Sequence, residues 1–579
     1  MIDAAGVADA LEEIGLLLEL AGENPFKTRA YANAARIVRG LDARLEDLVA
    51  SGELGAVKGI GRALAGKIAT LVATGELPYR EELRRRFPPG ILEWLHVPGL
   101  GPKKARVIHL ALGIATLDEL EAAAAGGRLR GLEGLGVASE KKILEGIARV
   151  RSHAGRYLRP VALGAARRLL ASLLSLPGVR GEVAGSVRRG TETSRDIDLV
   201  TTSADPEAVM EAFVAGPDVV EVVGRGPTKC SVRLGAGPNA DLRVVPAESY
   251  PFALLYFTGS KAHNVALRGR AQRMGLRLNE YALTRESDGS PIPCEDEAAI
   301  YRALGLSFVP PELREDQGEI EAAERGALPT LVAREDLRGI LHCHSDWSDG
   351  RSSIEEMAET ARGMGMEYLG LSDHSRSAAY AGGMSLSRVC EQHRAIDALN
   401  ACYGPGFRVL KGIEVDILAD GALDYPDDVL ASFDLVVASV HSRFNLSAEE
   451  QTARMIRAVE NPYVDIVGHP TGRLLLRRDP YPLDLFRVID AAARRGVAIE
   501  INAHPQRLDL DAAGLRHGLP LGLITSIDPD AHEPAGLHDV AYGIDTARRG
   551  GCTAAHVLNT RTLHELLAWL ARRRASAGV

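Results

Sequence analysis

The chain has 579 residues, 46% of them hydrophobic and 25% charged, with a formal net charge of −9. That length exceeds what one hydrophobic core supports, so we expect about four domains of roughly 100 to 200 residues each. No segment approaches the roughly 18 unbroken apolar residues of a membrane span, and the N-terminal MIDAAGVADALEE lacks the basic start of a secretory signal, which excludes membrane and secreted classes and predicts a cytoplasmic protein.

The charge is unevenly distributed along the chain. Residues 51–200 hold 24 Lys and Arg against 15 Asp and Glu, whereas residues 335–579 hold 25 against 34. A basic stretch can hold a polyanion such as nucleic acid, and an excess of carboxylates often surrounds bound cations. Either bias alone could equally be a solvated face, so the charge favours these partners only together with motifs.

The first 150 residues contain an internal repeat. VKGIGRALAGKI (57–68), VPGLGPKKARVI (97–108) and the weaker LEGLGVASEKKI (132–143) share an apolar-x-Gly-apolar-Gly turn followed by a helical run. Such a helix-hairpin-helix exposes backbone amides that can receive a phosphate, although one copy alone could be plain helix packing. Three copies favour DNA-backbone binding. The candidate residues are Gly59, Gly61, Gly99, Gly101, Lys103, Lys104, Gly134 and Gly136.

Short β-branched runs follow residue 150 and predict the strands of one sheet. The run GSVRRGTETSRDIDLV (185–200) holds Asp196 and Asp198, which face the same side of a strand because side chains alternate. Asp241, within NADLRVVP, has the same character and could lie on a neighbouring strand. Three such carboxylates suit a pair of Mg²⁺ or Mn²⁺ ions for phosphoryl transfer. Ordinary salt bridges at a strand end are the alternative.

Gly185, Ser186 and Arg188 precede these aspartates. Gly185 lets the backbone approach a ligand closely, Ser186 supplies a hydroxyl and Arg188 supplies a planar guanidinium. Together these groups are suited to binding a triphosphate. With YFTGSKAHNVALR (256–268) and the upstream repeats, residues 1 to about 315 resemble the X family of DNA polymerases, the group that includes polymerase beta.

The resemblance implies roles for individual residues. Asp196, Asp198 and Asp241 would bind two metal ions, with Asp241 closest to the primer hydroxyl. Gly185, Ser186 and Arg188 would hold the triphosphate. The remaining nucleotide-site residues implied are Tyr256, Phe257 and Gly259 at the sugar, Asn264 at the base and Arg268 at the template strand.

The first eighty residues also resemble the lyase domain of that family. Lys67 matches the lysine that forms a Schiff base with an abasic sugar, with Lys27 and Tyr31 as supporting DNA-binding positions. Ala63 stands where the animal enzymes have an auxiliary lysine, which puts strong lyase activity in doubt. Phosphate binding by Lys67 is an equal alternative.

A second set of motifs follows a polar segment at 310–339. Histidines and carboxylates sit where predicted strands end, as parallel α/β barrels place catalytic groups. Imidazoles mixed with carboxylates suit Zn²⁺, Mn²⁺ or Fe²⁺. The order of these residues along the chain resembles that of the polymerase and histidinol phosphatase (PHP) domain, a trinuclear metal phosphoesterase. The resemblance implies up to three bound metal ions, which would be Zn²⁺ and/or Mn²⁺. The implied ligands are His342, His344, Asp349, His374, Glu414, His441, His469, Asp530 and His532.

The predicted fold is therefore multidomain: a helical helix-hairpin-helix N-terminal region, an α+β nucleotidyltransferase palm and thumb, and a C-terminal distorted (βα)7 barrel. The expected domains are a lyase-like region at 1–85, fingers at 86–155, palm at 156–250, thumb at 251–315, a linker at 316–338 and the PHP domain at 339–579.

These features predict a bacterial DNA repair polymerase that fills short gaps, as in base excision repair. We expect two Mg²⁺ or Mn²⁺ ions at its polymerase site and a 3′–5′ exonuclease in the PHP domain. Abasic-site endonuclease or 3′-phosphatase activity in the PHP domain and weak lyase activity are further expectations. The expected partners are gapped or primed DNA and dNTPs, with no membrane, for a nucleoid-associated monomer. The alternatives are a metal-dependent repair nuclease or small-molecule phosphoesterase with a non-catalytic DNA-binding front half, and an inactive end-binding scaffold.

Overall fold

A computed structural model describes residues 4–39, 45–57, 59–95, 97–235 and 237–577. The chain divides into two compact units, Met1–Ala154 and Gly155–Val579. Within the described ranges, every helix is too short or too polar to cross a lipid bilayer. The predicted fold class is confirmed, and the finer domain boundaries remain predictions.

The first unit is helical throughout its described residues, with an apolar core in each half. Its α-helices are Ala4–Ala21, Pro25–Arg39, Leu45–Ser51, Arg62–Thr74, Pro78–Arg84, Pro89–Trp94, Pro102–Leu112, Leu117–Ala125 and Val137–His153.

The three glycine turns of this unit have the same geometry. The amides of Ile60, Leu100 and Leu135 each donate over 3.0 Å to the carbonyl three residues earlier. The glycine before each donor has a positive φ, of 94°, 82° and 73°. That torsion disfavours residues with a Cβ, so the repeated glycines follow from the turn itself. The helices after the turns have Gly61, Gly101 and Gly136 as their N-cap residues, and none of the three has a side-chain cap.

The second unit begins with a five-stranded sheet, the predicted palm. The strand Asp196–Thr202 runs parallel to Asn239–Val245, which confirms that they are neighbours, and the helices Arg159–Leu174 and Pro206–Val214 pack on the sheet. In sheet order, the strands are Arg180–Val183, Asp196–Thr202, Asn239–Val245, Lys229–Leu234 and Val219–Arg225. A short ribbon pairs Tyr157–Leu158 with Thr193–Ser194.

The predicted thumb is a helical layer around a separate core. Its helices are Tyr250–Thr258, Lys261–Arg273 and Glu297–Ala303, with a ribbon of Leu276–Leu278 and Leu283–Arg285. The segment expected to be a linker, 316–338, is packed instead. Its helix Glu319–Glu324 buries Ile320 in the thumb core, while Val332 and Leu337 join the barrel core.

Seven parallel strands form a nearly closed barrel in chain order. The first and last approach each other at Cys343 and Ala531, and the amide of His344 donates to the carbonyl of Ala531 over 2.8 Å. The strands are Gly339–Cys343, Tyr368–Leu371, Arg408–Asp416, Leu435–Ser439, Ile466–Val467, Ala498–Asn502 and Thr525–Asp528. The α-helices are Ile354–Gly363, Leu386–Tyr403, Asp427–Leu430, Ala448–Glu460, Leu485–Arg495, Ala512–Gly518, Val540–Gly550 and Leu563–Ala577.

Charged pairs join the palm to the barrel. Arg159 lies 2.6 Å from Asp545, and Arg473 lies 2.7 Å from Glu192. Both arginine side chains are largely buried, so water screens these pairs less than it screens surface ion pairs. The palm and barrel are thus held together within one unit.

Candidate active sites

Three carboxylates lie at one end of the palm sheet. Asp198 pairs directly with Asp241 across the parallel strands, and Asp196 precedes on the same face. Burial, together with the charges of Asp196 and Asp241, raises the pKa of Asp198 to about 7. Lys229 lies 3.2 Å from Asp241, and Ser231 donates to the same side chain. A buried carboxylate beside two others fits a divalent cation, which would relieve this repulsion.

A glycine is required next to this centre. A Cβ placed on Gly185 would lie 2.1 Å from a carboxylate oxygen of Asp198, and Gly185 also has a φ of 62°. Ser186 follows in the short helix Gly185–Arg188 and donates to Ser194 over 2.9 Å. The backbone therefore approaches the carboxylates closely, as the sequence analysis expected for this turn.

The predicted triphosphate ligand Arg188 is engaged elsewhere. Its guanidinium binds Glu297 over 2.7 and 3.0 Å and Thr258 over 2.7 Å, and it lies 3.0 Å from Glu182. These contacts engage both terminal nitrogens of Arg188, and its placement at the triphosphate stays a prediction.

Arg189 is the better-placed cation, and the sequence analysis missed it. Arg189 acts on the Asp198 carboxylate electrostatically, donates to the Thr258 carbonyl and pairs with Glu315 at 3.1 Å. Arg549 of the barrel pairs with the same Glu315 at 3.2 Å and donates to the carbonyl of Arg189. The barrel thus contacts the residue that flanks the palm carboxylates.

The other predicted nucleotide residues cluster on two thumb helices. Tyr256 and Phe257 end the first helix in a T-shaped contact, with ring centres 5.2 Å apart. Asn264 donates to the Tyr256 carbonyl over 2.7 Å, and Arg268 lies one turn further along the second helix. Gly259 joins the helices with a φ of 71° and lies beside Arg189. Tyr256, Asn264 and Arg268 line one small cavity, and the roles of all five residues remain predictions.

In the first unit, the predicted lyase residues meet around a tyrosine pair. Lys67 donates to the Tyr31 hydroxyl and lies 3.8 Å from the centre of the Tyr79 ring, while Lys27 lies 5.7 Å from that ring. Burial lowers the pKa of Lys67, and Lys27 lowers it further against the opposing effect of Tyr79. Tyr79 was not predicted from the sequence, because its link to Lys67 is a tertiary contact.

The nine predicted barrel ligands converge at one end of the strands. Among the described residues, three groups of potential ligands have donor atoms that all lie within 4.8 Å of one another, and all three groups are in the barrel. The three palm carboxylates form no such group and are therefore more widely separated. The groups are His344, Asp349, His374 and His532; His342, His344 and Asp530; and His374, Glu414 and His441. His344 and His374 each belong to two groups.

Glu414 lies at the centre of the barrel cluster. Its carboxylate lies 2.9 Å from His374, 3.3 Å from His441 and 3.0 Å from His469. Burial alone would raise the pKa of Glu414, but the surrounding imidazoles hold it well below its usual value. Burial alone would lower the pKa of His374, yet Glu414 and Asp349 raise it to about 11.

Buried polar atoms in this cluster test its fit to metal ions. Nδ1 of His344 and Nδ1 of His469 are buried and make no hydrogen bond to any residue that the structure describes. Such atoms are costly unless a ligand engages them, and imidazole and carboxylate donors suit transition-metal ions. The residues present therefore fit bound cations.

Two further carboxylates orient the candidate ligands. Glu500 lies 2.6 Å from Nδ1 of His342, and Asp416 lies 2.5 Å from Nδ1 of His441. A carboxylate on one ring nitrogen leaves the other for a metal. Neither was predicted, although Glu500 interrupts the apolar run AIEIN in the same way that Asp241 interrupts its strand.

Comparisons with known proteins agree with this architecture. Residues 3–77 match the helix-hairpin-helix domain, residues 253–315 the DNA polymerase beta thumb and residues 341–504 the PHP domain. The DNA polymerase/3′-5′ exonuclease PolX of Bacillus subtilis is 36% identical over 97% of this chain and 98% of its own length. A probable phosphatase of Acetivibrio thermocellus is 33% identical over 26% of this chain and 59% of its own length.

The fold and the two sites define a nucleotidyltransferase joined to a metal phosphoesterase barrel. This chain belongs to the X family of DNA polymerases, in the bacterial group with a C-terminal PHP domain. Membership implies divalent metal ions at both sites, and DNA and nucleotides as substrates.

Replacing Asp198 by asparagine should stabilise the metal-free protein at neutral pH. In the folded protein the pKa of Asp198 is about 7, above its ordinary 3.8. The folded state therefore holds this proton more tightly, and its stability falls as pH rises between those two values. In EDTA, thermal unfolding of Asp198→Asn should occur several degrees above wild type at pH 8, and the difference should shrink towards pH 5.

Metal ions provide the matching control. Adding Mn²⁺ at pH 8 should raise the unfolding temperature of the wild type more than that of Asp198→Asn, because only the wild type keeps the full carboxylate set. Equal unfolding temperatures at pH 8 in EDTA would contradict the carboxylate repulsion inferred here.

Proposed function

We propose that this chain is a gap-filling DNA repair polymerase with a metal-dependent 3′–5′ exonuclease in its barrel. The observation that carries the proposal is the presence of two separate acidic centres in one chain: the paired Asp198 and Asp241 in the palm and the histidine cluster around Glu414. The polymerase family of the whole chain and the phosphatase relatives of the barrel support it.

At the palm, Asp196, Asp198 and Asp241 would hold two Mg²⁺ or Mn²⁺ ions. Bound divalent ions neutralise the charge that develops on the attacking and leaving oxygens in phosphoryl transfer. The side chain of Asp241, fixed by Ser231 and Lys229, would place the primer 3′ hydroxyl. The backbone at Gly185 can approach the phosphates closely because a Cβ is absent there.

The triphosphate would be held by Ser186 and Arg189 rather than Arg188. Arg189 lies beside both Asp198 and Gly259, whereas the donors of Arg188 are taken by Glu297 and Thr258. Arg188 would then fix the palm against the thumb. Tyr256, Phe257, Asn264 and Arg268 would line the nucleotide and template, since they share one surface of two thumb helices.

At the barrel, the nine ligands would hold up to three Zn²⁺ or Mn²⁺ ions. Such ions supply a nucleophile at neutral pH and polarise a phosphoryl group. Glu500 and Asp416 would hold the tautomers of His342 and His441, and Arg507, which lies 3.4 Å from Asp530, would contact a phosphate oxygen. Abasic-site cleavage or 3′-phosphate removal would use the same groups. We also propose that the protein acts as a nucleoid-associated monomer.

The test is an assay on a one-nucleotide gapped duplex with a labelled primer, in Mg²⁺ or Mn²⁺. Extension by one nucleotide when dNTPs are present, and shortening when they are absent, would establish both activities in one chain. Shortening alone would indicate a repair nuclease whose front half only binds DNA.

Lys67 provides a test of lyase activity. Its lowered pKa favours the neutral amine that attacks an aldehyde, but its bond to Tyr31 and the alanine at position 63 weaken this chemistry. We expect weak borohydride trapping on DNA with a 5′-deoxyribose phosphate, lost in Lys67→Ala and kept in Lys411→Ala, whose lysine pairs with Asp397 in the barrel. If no adduct forms while Lys67→Ala weakens binding to 5′-phosphorylated gaps, Lys67 is a phosphate ligand.

A further inference from the structure

An exposed aromatic ring stands at the edge of the barrel cluster. The Tyr380 ring centre lies 6.3 Å from that of His374 and 6.4 Å from that of His441, two candidate metal ligands. The planes are inclined at 55° and 68°, so neither imidazole stacks on the ring. Tyr380 is 72% exposed to solvent, more than Tyr281 or Tyr256. An aromatic ring left this open beside a catalytic centre is available to a ligand.

The backbone that carries Tyr380 is firmly packed. Its neighbours Ala378 and Ala381 are buried, and the Ala378 carbonyl accepts hydrogen bonds from the amides of Ala381 and Gly383. A Cβ on Gly383 would lie 2.1 Å from the carbonyl oxygen of Ser375, so this turn closes tightly against the segment that bears His374. The ring therefore projects from a fixed support, which reduces the entropy lost when a ligand stacks on it.

Two arginines lie on the same side of the centre. Arg507 is 3.4 Å from Asp530, and Arg478 packs on Phe444 with 4.8 Å between the guanidinium and the ring centre. Both lie near enough to the hydroxyl end of Tyr380 to interact with it electrostatically. Metal ions and arginines can hold the phosphate of any ester, so they do not distinguish a nucleotide from a small phosphate ester.

A nucleobase has what such an ester lacks: an aromatic face one sugar away from its phosphate. Base stacking on aromatic side chains tolerates any sequence, as an exonuclease requires. We propose that Tyr380 is the platform on which the base of the 3′-terminal nucleotide stacks, so that the barrel site prefers nucleic-acid ends to small phosphate esters. This inference rests on the proposed exonuclease function and names the substrate contact that gives it specificity.

The test compares two substrates in the full-length protein with Mn²⁺. One is a single-stranded oligonucleotide with an ordinary 3′ terminus or with an abasic one, and the other is glycerol 2-phosphate, a small phosphate ester without an aromatic ring. In the wild type, removing the terminal base should lower kcat/KM by about five- to a hundredfold. Tyr380→Ala should lower kcat/KM on the ordinary terminus by a similar factor, mainly through KM, and should lose the preference for a base. Tyr380→Phe should retain both.

Phosphate release from glycerol 2-phosphate separates this inference from the function on which it rests. Its rate should be unchanged in Tyr380→Ala, as should the metal content per chain. An equal loss on both substrates would mean that the ring supports the ligands, and an undiminished preference for the base in Tyr380→Ala would mean that it does not stack; either result overturns the inference. A wild type that hydrolyses the small ester but no DNA end would instead overturn the proposed exonuclease.

Discussion

Replacing Asp198 by alanine should lower nucleotide incorporation on gapped DNA by about three orders of magnitude or more and leave the exonuclease within about twofold of wild type. Asp198 is partly buried, its pKa is raised by burial and by the other two carboxylates, and it pairs directly with Asp241. Its removal leaves two carboxylates at the mouth of the site, too few to hold two ions side by side. The candidate metal ligands of the barrel lie on other strands, so this substitution leaves them unchanged.

The measurement is single-nucleotide extension, with primer degradation followed in parallel without dNTPs. Glu221→Ala is a matched control, because Glu221 is an exposed carboxylate in the same sheet and pairs only with Arg233 in the described contacts. We expect that variant to behave as wild type in both assays. Loss of both activities in Asp198→Ala would overturn the assignment of two independent sites.

Replacing Glu414 by glutamine should abolish the exonuclease and spare the polymerase. The carboxylate lies within 3.7 Å of five histidines and is central to the candidate metal cluster. Glutamine has nearly the same shape but no negative charge, so the barrel should fold while binding its cations much more weakly. We expect exonuclease activity to fall by about 10³-fold or more and at least one metal ion per chain to be lost.

Metal content per chain after gel filtration, measured by mass spectrometry, gives a readout independent of activity. Glu449→Gln is the matched control, because Glu449 is a largely exposed barrel carboxylate paired with Arg487. That variant should keep both its metal and its exonuclease. Unchanged metal content together with normal exonuclease in Glu414→Gln would remove Glu414 from the ligand set.

The local features of both sites were predictable from the sequence. Each glycine turn of the first unit needs a positive φ at one residue, so the repeated turn is visible in the sequence as a repeated glycine. Asp196 and Asp198 share a face because strand side chains alternate, and Asp241 was recognisable as a carboxylate within an apolar strand. The barrel ligands follow strand ends in chain order, so their convergence follows from parallel α/β topology.

Tertiary structure decided what depends on partners distant in the chain. Arg188 and Arg189 are adjacent and chemically identical, and partners far along the chain distinguish them: Glu297 binds the first, and Glu315 binds the second. The segment 316–338 looks like a polar linker, but Ile320, Val332 and Leu337 find apolar surfaces in two different cores.

The same holds for the groups that orient the ligands. Lys229 and Tyr79 have no local signature of their roles, since each acts through a contact with a residue on another element. Sequence periodicity specifies which face a side chain occupies and which end of a strand it follows. Which side chains then meet, and which charges neutralise each other, depends on long-range packing that the periodicity of a single segment does not contain.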